Sequence, residues 1–175
     1  NTAVGSLAGA AVTTGIQNTY VGALAGDAAT TPSKNVGIGT NALSTNILGS
    51  NSTAVGTAAL FTQNPATATD MYNTAVGFEA AKLLSTGTSN TIIGGVAGDS
   101  LTTGSRNVAV GTSSLQNDQA GSKSVAIGTR ALTSQRPATS VDMFNVGIGE
   151  DAGLEITIGV HNTVIGGLAG SALTE

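Results

Sequence analysis

Covalent chemistry has few places to occur in this chain. One histidine, His161, and no cysteine are present. A thiolate nucleophile, a disulfide framework and thiolate metal ligation are therefore excluded, and any Ser-His-Asp arrangement is confined to the surroundings of one residue. His161 reads as a polar corner instead. The carboxylates Asp27, Asp70, Asp99, Asp118, Asp142, Asp151, Glu79, Glu150 and Glu155 are scattered, and among them only Glu150 and Asp151 are adjacent. Glycoside hydrolysis needs two acids facing each other across a substrate; isolated acids read as solvated turn residues. Asp27 and Asp99 follow Gly26 and Gly98 at equivalent places, but no second acid recurs beside them and the Gly-Gly-x-Gly-x-Asp calcium repeat is missing. Gly37-Ile38-Gly39-Thr40-Asn41-Ala42 and Gly147-Ile148-Gly149-Glu150-Asp151-Ala152 carry the letters of a dinucleotide fingerprint, which requires an amphipathic helical run that neither is followed by. The expectation is a protein that is not an enzyme and has neither cofactor nor metal.

Composition narrows the class further. Charged residues make up 9% of the chain and aromatics 3%, with 25 glycines and no tryptophan, so neither an ordinary core nor an ordinary charged surface is available. A net charge of -4 argues against a nucleic-acid partner, which would call for a basic face. No apolar run approaches the roughly 18 residues of a membrane span. The chain opens without Met or a signal-like segment and reads as a piece of a longer protein.

The elements that must position any functional side chain are announced by repetition. The pentad Asn/Ser-Thr/Val-x-Val/Ile-Gly begins at Asn1, Asn18, Asn35, Ser52, Asn73, Asn90, Asn107, Ser124, Asn145 and Asn162, spaced by 17 residues except after Ser52 and Ser124, where the spacing is 21. Its fourth place is always Val or Ile and its fifth always Gly. The two lengthened copies lie 72 residues apart and share their extra segments, Thr62–Tyr72 and Ser134–Phe144. The chain is thus one array, with super-repeats 1–72 and 73–144 and a partial third at 145–175.

A β-branched pentad closed by Gly predicts a strand of about four residues and a turn. Helices are disfavoured by the density of Gly and β-branched residues. Stacking such copies in parallel gives an all-β solenoid, or β-roll, of about ten coils that rises roughly 4.8 Å per coil. Side chains alternate along a strand, and the invariant Val/Ile is expected to point inward together with the second place. The small third residues, Ala3, Gly37, Ala54, Ala75, Ala109, Ala126 and Gly147, are then expected to face outward against a second copy of the chain. The recurring Asn predicts a ladder of amides along the stack. The invariant Gly serves either a positive φ or a close backbone approach.

The pentads carry a resemblance. Ser124-Val125-Ala126-Ile127-Gly128, with Asn107-Val108-Ala109-Val110-Gly111 and Asn1-Thr2-Ala3-Val4-Gly5, is similar to the head repeats of trimeric autotransporter adhesins of the YadA-like type. Asn73–Ala80 and Thr102–Asn107 look more like the arrays of phage tail fibres. The resemblance covers all ten copies, though 17 and 21 residues exceed the shorter repeat typical of those heads. It implies a left-handed β-roll, a homotrimer, an extracellular place on a virion or bacterial surface, and host or surface attachment. The alternative is a self-assembling extracellular filament or sheath.

Within that frame the lengthened copies are the expected contact sites, since four extra residues must bulge from the rod. Asp70, Met71, Tyr72, Asp142, Met143 and Phe144 are the candidate contact residues for a cell-surface glycan or protein receptor. The opposing expectation is that the Met and the aromatic fold back to plug a groove between chains, because apolar side chains are scarce.

Overall fold

A computed structural model describes residues 1–174. It contains strands and turns and no helix. The strands are β1 (Thr2–Val4), β2 (Thr19–Val21), β3 (Val36–Ile38), β4 (Gly49–Ser50), β5 (Thr53–Val55), β6 (Thr69–Asp70) and β7 (Thr74–Val76), then β8 (Thr91–Ile93), β9 (Val108–Val110), β10 (Gly121–Ser122), β11 (Val125–Ile127), β12 (Val141–Asp142), β13 (Val146–Ile148) and β14 (Thr163–Ile165). Ten of these, one per pentad, form a single parallel sheet in chain order. Each pairs without slip with the equivalent residues of the next coil, as in Thr2 opposite Thr19 and Val4 opposite Val21. The protein is a parallel β-solenoid of about ten coils. Across the lengthened coils the register holds, Val55 opposite Val76 and Ile127 opposite Ile148. The extra residues therefore leave the rod without displacing the next strand, and they add two small ladders, β4 with β6 and β10 with β12.

Each strand stops at the pentad glycine, and both reasons for glycine hold at once. Gly22 has φ +132°, and a Cβ there would lie 2.6 Å from the Gly39 carbonyl oxygen of the next coil. An L side chain is excluded by conformation and by space.

The direction of the strand side chains is opposite to the sequence expectation. The middle residue of each pentad is the one that enters the core: Ala54, Ala75, Ile92, Ala109 and Ala126 are fully buried. The Val/Ile of the fourth place turns outward with the Thr or Val of the second. The physical reason is the width of the coil. A three-residue strand presents one side chain inward, and that side chain must meet the facing wall, the turn running from the eighth to the twelfth coil position. The wall supplies Ala25, Ala42, Ala59, Ala80 and Ala97 at position 8, all buried, and a variable residue at position 9.

Positions 3 and 9 compensate one another. Leu43, Leu60, Leu115 and Leu132 stand at position 9 opposite Gly37, Ala54, Ala109 and Ala126, whereas Tyr20, Ile92 and Val164 at position 3 are matched with Gly26, Gly98 and Gly170. Tyr20 is the largest interior side chain and lies among glycines. A Cβ on Gly9 or Gly37 would come within 3.1 Å of its ring, and one on Gly26 would overlap it. Its hydroxyl has no hydrogen-bond partner, although the Asn35 side chain is near enough to oppose the effect of burial, which pushes the phenol up to about 12. Close packing of this kind needs complementary volumes, and the chain meets that need by exchanging one large residue between two walls.

The asparagine ladder expected from the sequence forms along one interior corner. The Asn18 Oδ1 accepts from the Asn35 backbone N–H at 3.0 Å, and the Asn18 Nδ2 donates to the Pro32 carbonyl at 2.8 Å. The same pair of bonds recurs at Asn90, Asn107 and Asn145. Where Ser52 and Ser124 replace Asn, a glutamine at position 12 of the same coil fills the gap. The Gln63 Oε1 accepts from the Ser52 hydroxyl at 3.1 Å and from Asn73 Nδ2 at 3.0 Å; Gln135 holds Ser124 and Asn145 in the same way. The ladder amides are thus paired, as burial demands, with the Gln63 Nε2 the exception.

Candidate functional site

Three outward features are built on this rod. The first is the face of the ten-stranded sheet. Val4, Val21, Ile38, Val55, Val76, Ile93, Val110, Ile127, Ile148 and Ile165 form one rank, with Thr or Val at the second pentad place forming a parallel rank. Among the described residues no element lies over this face. Even in mid-array Ile93 remains 38% exposed, and Ile165 reaches 66%. A continuous apolar ladder of this length is unusual on an isolated chain.

The second feature is the lengthened coil. Pro65 and Pro137 are buried at the base of each insertion, while 66–68 and 138–140 stand in solvent. Of the six expected contact residues, Met71 and Met143 point into the rod and are fully buried. Asp70, Tyr72, Asp142 and Phe144 point outward, with Tyr72 59% and Phe144 43% exposed. The Met and the aromatic thus part company: the sulfur side chains fill the interior beside Gly49 and its equivalent, while the rings stay on the surface. The Tyr72 hydroxyl donates to Asp70 Oδ2 at 3.2 Å, and this bond raises the phenol above its ordinary range. Asp142 instead pairs with Lys123 at 2.6 Å.

The third feature was not legible as a site in the sequence. The residue before each pentad, Gln17, Lys34, Asn51, Tyr72, Ser89, Arg106, Lys123, Phe144 and His161, has φ between +51° and +62°. Each left-handed bend turns one side chain out at the same corner. The backbone locks them in line: the Arg106 N–H donates to the Thr88 carbonyl at 2.9 Å, the Lys123 N–H to Ser105 at 3.0 Å and the His161 N–H to Met143 at 2.8 Å. At the second lengthened coil this column becomes a stack. The Lys123 ammonium lies 4.9 Å from the Phe144 ring centre, and Phe144 stacks on His161 at 5.1 Å with 24° between planes. The signal available in the sequence was the location of Lys34, Arg106, Lys123 and His161 at one coil position.

Two further clusters have structural partners. Arg130 reaches across a coil to grip Asp151 through two bonds of 2.7 and 2.6 Å, so the adjacent acids Glu150 and Asp151 differ in role. Asp118 is fully buried and accepts from the Gly121 N–H at 2.7 Å, from the Ala120 N–H at 3.1 Å and from the Gln135 amide. Burial pushes its carboxyl above the usual range, opposed first by the Gln135 hydrogen bond. At the equivalent place in the first super-repeat, Asn46 bonds to Gly49 and the Gln63 Nε2 has no partner.

Among the described residues no group of three or more His, Asp or Glu side chains is gathered that would hold a metal, and no pocket is enclosed. Neither Gly37-Ile38-Gly39 nor Gly147-Ile148-Gly149 leads into a helix; each is the strand and turn of an ordinary coil. Fold and surface define a parallel β-solenoid with one apolar sheet face and one polar, partly basic corner. Compared with known protein families, curated proteins and solved structures, the chain matches none.

Proposed function

We propose that this chain is a structural and adhesive segment of an extracellular fibre, the shaft or head of a phage tail fibre or bacterial surface adhesin, built as a homotrimer and without enzymatic activity. The observation that carries the reading is the uncovered Val/Ile ladder, with Thr or Val beside it. Ten coils at about 4.8 Å, each presenting a pentad of about 16 Å, make a face on the order of 800 Å², the area one partner contributes to a stable interface. Covering half-exposed Val and Ile adds roughly 1 kcal/mol per coil, and repetition makes the sum large enough to offset the cost of association. The resemblance of the pentads supports three chains around one axis, with the ladders facing that axis. The outward residues Asp70, Tyr72, Asp142 and Phe144 then stay solvent-facing for weak contacts multiplied by avidity.

The test is the solution mass of the protein by light scattering at several dilutions. A mass three times the 16.9 kDa chain, converted to a smaller species by Ile93→Asp combined with Ile127→Asp, is the expected result. A folded monomer before any substitution would overturn the trimer. An open-ended mass distribution would favour the alternative, a self-assembling filament or sheath.

A further inference from the structure

Half of the chain's cations stand on the corner column, although the column has only nine members. Of six Lys and Arg residues, Lys34, Arg106 and Lys123 lie there, together with the one histidine. The two super-repeats differ at this corner. In the first, Lys34 is followed one coil later by Asn51; in the second, Arg106 is followed by Lys123. Adjacent coils are roughly 4.8 Å apart, so two like charges are held in line by the backbone, a placement that costs free energy unless an anion relieves it. Lys123 has a carboxylate partner, Asp142, at 2.6 Å. Arg106 has none among the described residues. An exposed guanidinium without a partner, one coil from Lys123 and two from the Phe144 ring that stacks on His161, offers a fork of donors for a carboxylate with an apolar edge further along the same column.

We propose that the corner formed by Arg106, Lys123, Phe144 and His161 binds the uronate carboxylates of an acidic polysaccharide lying along the rod. This deepens the attachment reading and names the ligand class for its second super-repeat. Arg106 takes the carboxylate in a bidentate bond, Lys123 adds the second charge, and the exposed edges of Phe144 and His161 contact the ring carbons of the sugar. The net charge of -4 opposes any polyanion, so single-stranded DNA, which also carries one charge per unit, is the control that separates a site for carboxylate-bearing sugars from general anion binding. Asp142 limits the affinity by occupying Lys123.

The experiment is titration of the whole chain with polyglucuronate at low ionic strength, beside a neutral glucan of equal length and single-stranded DNA. Polyglucuronate is expected to bind and the neutral glucan not to. Arg106→Ser should weaken binding tenfold or more, Lys34→Ala should leave it unchanged, and Asp142→Asn should tighten it severalfold. Absence of polyglucuronate binding, indifference to Arg106→Ser, or DNA binding of equal strength would overturn the site. Mass is measured on the same samples. A trimer that ignores polyglucuronate sinks this site and leaves the fibre reading standing, whereas a monomer that binds it does the reverse.

Discussion

Replacing Tyr20 by Ala and Gly26 by Leu, singly and together, tests whether the large interior side chain that seven of the ten coils hold at position 3 or position 9 can be supplied by either wall. Tyr20 is 1% exposed and packed among Gly9, Gly26 and Gly37. Tyr20→Ala removes an aromatic ring from a close-packed interior and is expected to cost about 3–5 kcal/mol. Gly26→Leu alone is expected to cost about 2–3 kcal/mol, since its Cβ would sit 2.5 Å from the Tyr20 Cδ1 and Cζ atoms of a rigid ring. The left-handed backbone at Gly26, φ +56°, is no barrier in itself: Leu43, Leu60, Leu115 and Leu132 occupy the same coil position at φ +49° to +55°. Together the two changes reproduce the Ala54/Leu60 arrangement. The double variant should therefore lie only about 1–2 kcal/mol below the parent, against a sum of roughly 5–8, a coupling far outside the few tenths expected of independent sites. The assay is urea unfolding at one fixed chain concentration, because association shifts apparent stability. Additive losses, or a neutral Gly26→Leu single variant, would refute the reciprocal packing.

Asp118→Asn transplants the Asn46 arrangement into the second super-repeat and removes the carboxylate oxygen that accepts from the Gln135 amide, which keeps only the Ser124 hydroxyl. The folded carboxyl titrates above its unfolded value, so the parent is favoured most at acid pH and loses that advantage as pH rises through the folded pKa. The variant should be less stable by on the order of 1–3 kcal/mol at acid pH, with a gap that narrows towards neutrality in pH-dependent denaturation; a widening gap would mean that the three donors outweigh burial. Gly111→Ala places a Cβ 2.5 Å from the Gly128 carbonyl carbon and oxygen at φ +133° and should cost on the order of 3 kcal/mol. Gly95→Ala, with nothing within 4 Å, should stay within about 0.5 kcal/mol in the same urea titration. Gln63→Leu leaves the Ser52 hydroxyl and the Asn73 amide without an acceptor they now share and should increase amide exchange in the fourth and fifth coils, whereas unchanged protection would show that the glutamine does not complete the ladder.

Architecture was legible because it is written ten times. The pentad spacing alone located each strand of the main sheet, and the lengthened copies kept register as the regular spacing beyond them implied. What failed was the side-chain direction. Alternation along a strand divides residues into two faces but does not say which is inside, and the habit of burying Val and Ile chose the wrong one. The interior of this rod is narrow enough that Ala and Gly are the inward residues of most strands, and the cue lay further along the coil, in the Leu or Gly at position 9 that answers the size of position 3 in seven of the ten coils. The corner column escaped for a different reason. Its residues share a coil position but no chemical type, and only the recurring left-handed backbone brings Lys34, Tyr72, Arg106, Phe144 and His161 to one edge.

Interior and exterior of the coil obey different constraints, and this separates what the fold needs from what the surface is free to present. Inside, a change at one position forces a change at another: Tyr20 requires Gly26, Ser52 requires Gln63, and Ser124 requires Gln135. On the sheet face the fourth pentad place is confined to Val and Ile in all ten coils although its outer side stays open, with Ile93 38% exposed; β-branched stacking along the sheet favours such residues, and a partner surface would restrict them further. At the corner column the backbone is as uniform as anywhere in the rod, yet the side chains range from Ser to Arg to Phe. Uniform backbone with free side chains is the arrangement in which binding properties can change without disturbing stability. Under the proposed function, the sheet face meets a constant partner, another copy of the same chain, and the corner meets variable ones. Substitutions at the corner should alter what the rod binds, while substitutions in the Val/Ile ladder should alter whether the rod assembles at all.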